Sequence, residues 1–146
     1  MKLETTRFGI VEIQSNDILF FRYGLFGFET QQQWVLLSDL NNSAVAWLQS
    51  MTNPEVALPV VSPRRFVNQY QVQLDERQIA LLSLSKEEQA AVLAVVSRNG
   101  QTLTCNLRAP IVVNLDRRVG CQVVTADEQP LQYPLAELPA SVRKIA

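Results

Sequence analysis

The sequence contains no histidine among its 146 residues. This absence excludes serine and cysteine hydrolases that rely on a histidine base, and zinc or iron sites that need imidazole ligands. It also removes the side chain that titrates near neutral pH without help from its surroundings. No P-loop or GxGxxG motif is present, and the few lysines lie in segments expected to be exposed or terminal. We therefore expect no catalytic residue and a protein that is not an enzyme.

Glycine and cysteine are also scarce, with five and two residues respectively. So few glycines predict that each one occupies a turn, including Gly24, Gly27 and Gly120. Cys105 and Cys121 each alternate with apolar neighbours, so both are expected to be small buried residues. Without a CxxC pair or a histidine they cannot complete a four-ligand zinc site. We therefore expect neither a metal ion nor a cofactor.

The charges of the chain nearly balance. Thirteen basic and fourteen acidic residues give a net charge of −1 and a pI near 5.4. A nucleic-acid-binding domain typically has a pI above about 9, so direct nucleic-acid binding is not expected. Two arginine pairs stand out, Arg64-Arg65 and Arg117-Arg118. Short charge runs are usually solvated turn residues, and the alternative is a patch that docks an anion or a protein.

Long apolar runs are absent as well. The longest extends from Ala90 to Val96, far short of the roughly 18 residues that a membrane-spanning helix needs. Residues 1–6 contain an acid and hydroxyl groups where a signal peptide has its apolar core. These observations predict a cytoplasmic protein with no membrane contact.

Short β-type segments separated by turn signals dominate the chain. Asn99-Gly100 is expected at the centre of a hairpin with a type I′ turn, because both central residues of that turn need positive φ. Asp75 and the run Ser85-Lys86-Glu87-Glu88 carry helix-capping patterns, which predict one or two short helices around residues 75–90. Many strands with little helix favour a mainly β fold, either a compact antiparallel β-barrel-like domain or a sandwich. The predicted β segments are 10–13, 18–21, 34–37, 44–48, 56–61, 70–74, 90–98, a strand ending at Leu107, 111–113 and 122–124.

The length of the chain suits one domain, since domains typically contain about 100–200 residues. Pro130, Pro134 and Pro139 punctuate the last stretch and are typical of an extended tail. We therefore predict a single β domain over residues 1–135, followed by a C-terminal tail over residues 136–146.

Aromatic residues cluster around a short loop bounded by two glycines. They are Phe20, Phe21, Tyr23, Phe26 and Phe28. Large aromatic side chains usually fill the core. The alternative is that the loop residues Tyr23, Leu25 and Phe26 are exposed and act as apolar anchors in a protein interface.

The segment Phe21–Glu29 resembles the F-P-x-G-L-P-G-F-E signature of the flagellar assembly factor family FliW. The two prolines of that signature are Arg22 and Phe26 in this chain, which predicts a less rigid and more apolar loop. The resemblance spans residues 3–135. Further blocks that match the family in order are Trp47–Ser50, Pro54-Glu55, Val60–Pro63, Asn106–Asn114, Gly120–Val124 and Tyr133–Leu135.

The resemblance implies a non-enzymatic cytoplasmic protein with a compact β-barrel-like fold. Members of the family bind the translational regulator CsrA, which relieves repression of flagellin messenger RNA, and they also bind flagellin. Each partner is expected to exclude the other, so that free flagellin sets how much antagonist is available. The candidate partner-binding residues are the apolar anchors Tyr23, Leu25 and Phe26 and the docking charges Arg64, Arg65, Arg117 and Arg118.

Two other classes of function fit a small β-barrel. A nucleic-acid-binding barrel would stack bases on its aromatic residues, but the acidic pI counts against this class. A small-molecule-binding barrel, or an enzyme that uses carboxylates alone, needs a deep pocket with converging acids.

Overall fold

A computed structural model describes residues 1–85 and 89–135 of the chain. Within these ranges the chain is mainly β, with a short α-helix and the 3₁₀ turns Ser15–Asp17 and Pro63–Arg65. The elements are β1 (Lys2–Thr5), β2 (Gly9–Glu12), β3 (Ile18–Phe21), β4 (Gln33–Ser38), β5 (Val45–Ser50), β6 (Ala57–Val61), α1 (Glu76–Leu81), β7 (Ala90–Asn99), β8 (Thr102–Cys105), β9 (Ile111–Asn114), β10 (Val119–Gln122) and β11 (Tyr133–Pro134).

Seven strands form a closed barrel in the order β7-β6-β5-β4-β3-β10-β9, and β9 pairs back with β7. β8 and β11 extend the sheet beyond β7, and β1 and β2 form a separate two-stranded ribbon. Neighbours in the barrel are antiparallel except β3 and β10, which pair in parallel at Phe20↔Val119 and Phe21↔Gly120. The prediction of a mainly β, barrel-like fold is confirmed. The parallel seam is a feature that the sequence patterns did not indicate.

Two tryptophans anchor the core of the barrel. Trp34 and Trp47 are both fully buried and belong to separate apolar clusters. Each indole nitrogen still has a partner, because Trp34 donates to the Gln31 carbonyl at 2.8 Å and Trp47 donates to the Asp39 carboxylate at 3.2 Å. Burial of such large side chains with their polar atoms satisfied is a main source of stability.

Gly120 lies in β10, so the expectation of a turn at this position is wrong. A Cβ placed on Gly120 would lie 2.4 Å from Cε2 of the fully buried Phe21 ring. The absence of a side chain lets β10 approach β3 closely at the parallel seam.

The β7–β8 hairpin is present, but its turn differs from the predicted one. Asn99 pairs with Thr102, so the two central residues are Gly100 and Gln101. Gly100 has φ +64°, whereas Gln101 is not in the positive-φ region. Glycine at the first central position is typical of a type II′ turn rather than type I′.

The predicted helix after Asp75 is confirmed as α1. The Asp75 carboxylate accepts the Gln78 amide at 2.7 Å, and the Gln78 side chain accepts the Asp75 amide at 3.0 Å. This capping box satisfies two amides at the helix start. No helix in the described ranges is long and apolar enough to span a membrane. The second capping pattern begins at Ser85, but its residues 86–88 lie outside the described residues, as does the predicted tail over 136–146.

Residues 70–74 alternate as predicted but do not form a strand. Tyr70 is buried and its hydroxyl donates to the Leu107 carbonyl. The segment beyond it contributes partly buried Val72 and Leu74 to the core, while the glutamines between them are exposed. The prediction of a strand is wrong because no neighbouring strand pairs with this segment.

Both cysteines are free and buried, as predicted. Burial raises the pKa of Cys105 and of Cys121 from 9.0 to about 11, and the charge of Asp75 adds to the shift at Cys121. Between these two values the unfolded thiols are ionised while the folded thiols keep their protons.

We expect the free energy of unfolding to fall as the pH rises from 9 to about 11. The sign follows because the folded state then binds more protons than the unfolded state, so stability decreases with pH. Urea unfolding across this pH range measures the slope, and a double variant, Cys105→Ala with Cys121→Ala, should show a shallower one. The same slope in both proteins would contradict this interpretation.

Candidate functional site

The aromatic loop, residues 22–29, follows β3 as two successive turns. The first ends at Gly24, which has φ +64°. In the second, the Phe28 amide donates to the Leu25 carbonyl at 2.7 Å. Gly27 occupies the third position of this second turn with φ +87°, the position at which a type II turn favours glycine. The two glycines therefore define the path of the loop.

The second turn separates the three predicted anchors. Tyr23 is 57% exposed and Phe26 is 50% exposed, whereas Leu25 is only 1% exposed. Leu25 packs in the apolar cluster that contains Trp34. The expectation of exposure is confirmed for Tyr23 and Phe26 and is wrong for Leu25, because the turn directs Leu25 into the barrel core. Leu25 therefore holds the loop against the barrel and is not available as a surface anchor.

Hydrogen bonds hold the backbone that carries Phe26. The Phe26 backbone amide donates to Oε1 of Gln122 at 2.8 Å, and Nε2 of Gln122 donates in turn to the Ala109 carbonyl at 2.9 Å. The Gly27 amide donates to the Glu29 carboxylate at 2.9 Å. A fixed loop loses little conformational entropy when a partner binds, which favours affinity.

Tyr23 and Phe26 line a groove of about 250 Å³, here called the aromatic groove. Its other lining residues include Arg77 and Leu81 of α1 and Val123 beyond β10. The lining also contains one carboxylate, Asp75, which caps α1. The groove thus combines exposed aromatic rings, apolar side chains and a guanidinium.

Positive charge surrounds the Tyr23 hydroxyl. A hydrogen bond with Arg77 and the charge of Arg22 lower the pKa of Tyr23. The Arg22 guanidinium carbon lies 5.8 Å from the Tyr23 ring centroid. Exposed aromatic rings beside two cations are suited to a partner surface that carries both apolar and acidic side chains.

Arg64 and Arg65 lie on the 3₁₀ turn after β6, and both are exposed. The Arg64 Nε donates to the Tyr70 carbonyl at 3.0 Å. Neither arginine lines the aromatic groove. The structure therefore does not bring this pair into the groove that Tyr23 and Phe26 line.

Arg117 and Arg118 lie in the turn between β9 and β10 and differ in environment. Arg117 is exposed, whereas Arg118 is half-buried. The Arg118 guanidinium donates to the Asp17 carbonyl at 2.8 Å, and its own carbonyl accepts the Phe20 amide at 2.9 Å. Arg118 therefore connects the turn to the start and middle of β3, so its guanidinium serves the fold rather than standing free as a docking charge.

Sequence reasoning missed Arg77 and Gln122. The cap at Asp75 predicts a helix that contains Arg77, but nothing in the sequence places that helix beside the loop. No pattern singles out Gln122, which is 96 residues from Phe26 along the chain. Within residues 1–85 and 89–135, no group of three or more His, Cys, Asp or Glu side chains is placed to hold a metal ion.

Comparison with known proteins identifies the family. A family model described as "FliW protein" matches residues 2–135. The chain belongs to the FliW family. It is 36% identical over 138 residues to the flagellar assembly factor FliW of Syntrophus aciditrophicus (strain SB), covering 92% of this chain and 87% of that protein. The FliW of Clostridium tetani (strain Massachusetts / E88) is also 36% identical over 138 residues, covering 92% of this chain and 95% of that protein.

A solved structure supports the same assignment. The crystal structure of a flagellar assembly factor FliW superposes with a TM-score of 0.82 and 28% sequence identity, covering 95% of this chain and 98% of that one. The fold is therefore that of FliW, and the protein has a role in flagellar assembly.

The FliW signature maps onto the aromatic loop in a simple way. Gly24 and Leu25, which match the signature, are buried. Arg22 and Phe26, which replace its prolines, are exposed. Gly24 and Leu25 thus maintain the path of the loop, and the two departures place a guanidinium and an aromatic ring on its exposed surface.

Proposed function

We propose that this protein is a non-enzymatic, cytoplasmic flagellar assembly factor that binds a CsrA-type translational regulator and flagellin in mutually exclusive complexes. Binding of the regulator relieves repression of flagellin messenger RNA. Free flagellin competes for the protein and so releases the regulator to repress again. Family membership supports the role in flagellar assembly, and the observation that carries the binding mode is the exposed pair Tyr23 and Phe26 on a fixed loop.

Tyr23 and Phe26 have the properties of interface anchors. Half of each side chain is exposed in the free protein, so burial under a partner removes apolar surface from water. Tryptophan, tyrosine and arginine side chains account for much of the binding energy in protein interfaces. Arg77 lines the same groove as Tyr23 and Phe26. Arg64, Arg65 and Arg117 do not line this groove, so as docking charges they would act mainly on the rate at which a partner associates.

We expect Tyr23→Ala and Phe26→Ala each to weaken binding of at least one partner by about tenfold. A well-packed aromatic anchor contributes about 1–3 kcal/mol to the binding free energy, and a tenfold change in affinity corresponds to about 1.4 kcal/mol. Titration calorimetry with the CsrA-type regulator and the flagellin of the same organism measures the affinities. Leu40→Ala is the matched control, because Leu40 is exposed and apolar but does not line the groove. Equal affinities for all three variants would exclude the aromatic groove as the binding site.

A further inference from the structure

The parallel seam between β3 and β10 brings Gln122 beside the aromatic loop. Phe21, the last residue of β3, pairs with Gly120, and the two strands run in the same direction. The segments that follow the two strands therefore leave the barrel at the same end. Gln122 lies two residues beyond Gly120 and on the same side of β10, while the loop begins one residue beyond Phe21. The seam thus explains how Gln122 meets Phe26, 96 residues away along the chain.

The backbone of Gln122 is firmly held. Gln122 pairs with Ile111 of β9, and the amide of the next residue, Val123, donates to the Pro110 carbonyl at 3.0 Å. Cys121 and Val123, on either side of Gln122, are both buried in one apolar cluster. The Gln122 side chain therefore extends from a fixed position in the barrel wall.

The Gln122 side chain bridges two backbone groups. Its Oε1 accepts the Phe26 amide, and its Nε2 donates to the Ala109 carbonyl. Ala109 is buried, and Asn106 fixes its position because the Asn106 Oδ1 accepts the amides of Arg108 at 3.0 Å and of Ala109 at 3.1 Å. A carboxylate only accepts and an ammonium only donates, so a side-chain amide suits both ends of this bridge.

The bridge ends at the exposed part of the loop. Phe26 and Gly27 are the two central residues of the second turn, and both are exposed. Within residues 1–85 and 89–135, Gln122 supplies the only acceptor for the Phe26 amide. Ordering a free residue on binding costs conformational entropy, and a residue that is already ordered avoids most of that cost.

We propose that Gln122 is a positioning residue for partner binding, which holds Phe26 in the orientation that the partner meets. Gln122 acts through Phe26, by connecting the tip of the loop to the fixed carbonyl of Ala109. The inference rests on the proposed function, because the partner concerned is the one that covers the aromatic groove.

Proton exchange of the Phe26 amide with water, measured by NMR on the free protein, tests the bridge itself. Gln122→Met keeps a side chain of similar length without either polar group, and we expect the Phe26 amide to exchange at least about fivefold faster. Gln122→Ala repeats the measurement with a shorter side chain, and urea unfolding shows that each variant is folded. Unchanged exchange in both variants would overturn the proposal.

Gln32→Met is the matched control for both measurements. The Gln32 Nε2 donates to the Arg22 carbonyl at 2.7 Å, so this glutamine also bonds the backbone of the loop, but at its first turn. Gln32 is exposed and does not line the aromatic groove. Its substitution is expected to change exchange of the Phe26 amide by less than about twofold. An equal effect of the two glutamines would show a general loosening of the loop and would contradict a specific role for Gln122.

A double-mutant cycle with Phe26 tests how Gln122 contributes to binding. Titration with the CsrA-type regulator and with flagellin first identifies the partner whose affinity Phe26→Ala lowers. Gln122→Met is expected to weaken binding of the same partner by about fivefold, and Gln32→Met by less than about twofold. In the Phe26→Ala background Gln122→Met should cost less than about twofold, because no ring is left to position.

The outcomes of the cycle separate this inference from the proposed function. If the unmodified protein binds but Gln122→Met binds equally well, or costs the same in both backgrounds, the positioning role is wrong and the proposed function stands. The same cost in both backgrounds would show that Gln122 contacts the partner directly. If the unmodified protein binds neither the regulator nor flagellin, the proposed function is wrong, and the role of Gln122 in it is wrong as well.

Discussion

Gly24→Ala is expected to lower the free energy of unfolding by about 3 kcal/mol, the sum of a left-handed backbone and a steric clash. Gly24 has φ +64°, and a Cβ there would lie 2.4 Å from the Phe28 carbonyl oxygen and 2.8 Å from two backbone atoms of Glu29. These are main-chain atoms, so a side-chain rotation cannot relieve the overlap. The loop must shift, and partner binding at the aromatic groove should weaken with it.

Gly100→Ala is the matched control for this prediction. Gly100 has the same φ of +64°, but a Cβ there would meet nothing within 4 Å. Its loss is therefore limited to the conformational cost, about 1 kcal/mol. Urea unfolding followed by tryptophan fluorescence measures both variants, because both tryptophans are buried. If the two substitutions lower the free energy of unfolding equally, the close approach of the loop backbone at Gly24 makes no contribution to the loss.

Leu25→Ala should lower the stability of the protein, whereas Phe26→Ala should lower its affinity for a partner, although the two residues are adjacent. Leu25 is buried in the core, so its truncation is expected to cost about 3 kcal/mol of stability through lost burial and a cavity. Phe26 is half exposed, so its truncation should change stability by less than about 0.5 kcal/mol.

Unfolding and partner titration, carried out on the same two variants, separate these effects. Phe26→Ala is expected to keep wild-type stability and lose partner affinity. Leu25→Ala, assayed well below its unfolding temperature, is expected to keep a partner affinity closer to that of the wild type than Phe26→Ala does. A large stability loss for Phe26→Ala, or none for Leu25→Ala, would reverse the assignment of core and surface in the loop.

The fold could be predicted to the level of a mainly β barrel because its strands are short, apolar and separated by turns. The parallel seam between β3 and β10 could not, since it pairs residues about a hundred positions apart and follows from closure of the barrel. Residues 70–74 show the converse limit. Their alternation correctly indicates one buried and one exposed face, but alternation carries no information on whether a neighbouring strand exists.

The candidate site could be predicted as a segment but not in its details. The aromatic cluster and the family signature both point to residues 22–29. Which of Leu25 and Phe26 faces solvent depends on the turn around Gly27, and adjacent residues of similar hydrophobicity do not reveal it. The contributions of Arg77 and Gln122 are long-range contacts that only the folded chain brings together. Arg118 was predicted as a docking charge, but its guanidinium donates to the Asp17 carbonyl. This is also a long-range contact that the sequence does not reveal.

The mutually exclusive complexes are the central claim, and a competition titration tests them most directly. The CsrA-type regulator is first bound to this protein, and flagellin of the same organism is then titrated in while free regulator is measured by size exclusion or calorimetry. The proposed mechanism predicts that flagellin displaces the regulator stoichiometrically and that Phe26→Ala shifts the titration. A stable ternary complex of all three proteins, or no binding to either partner, would contradict it.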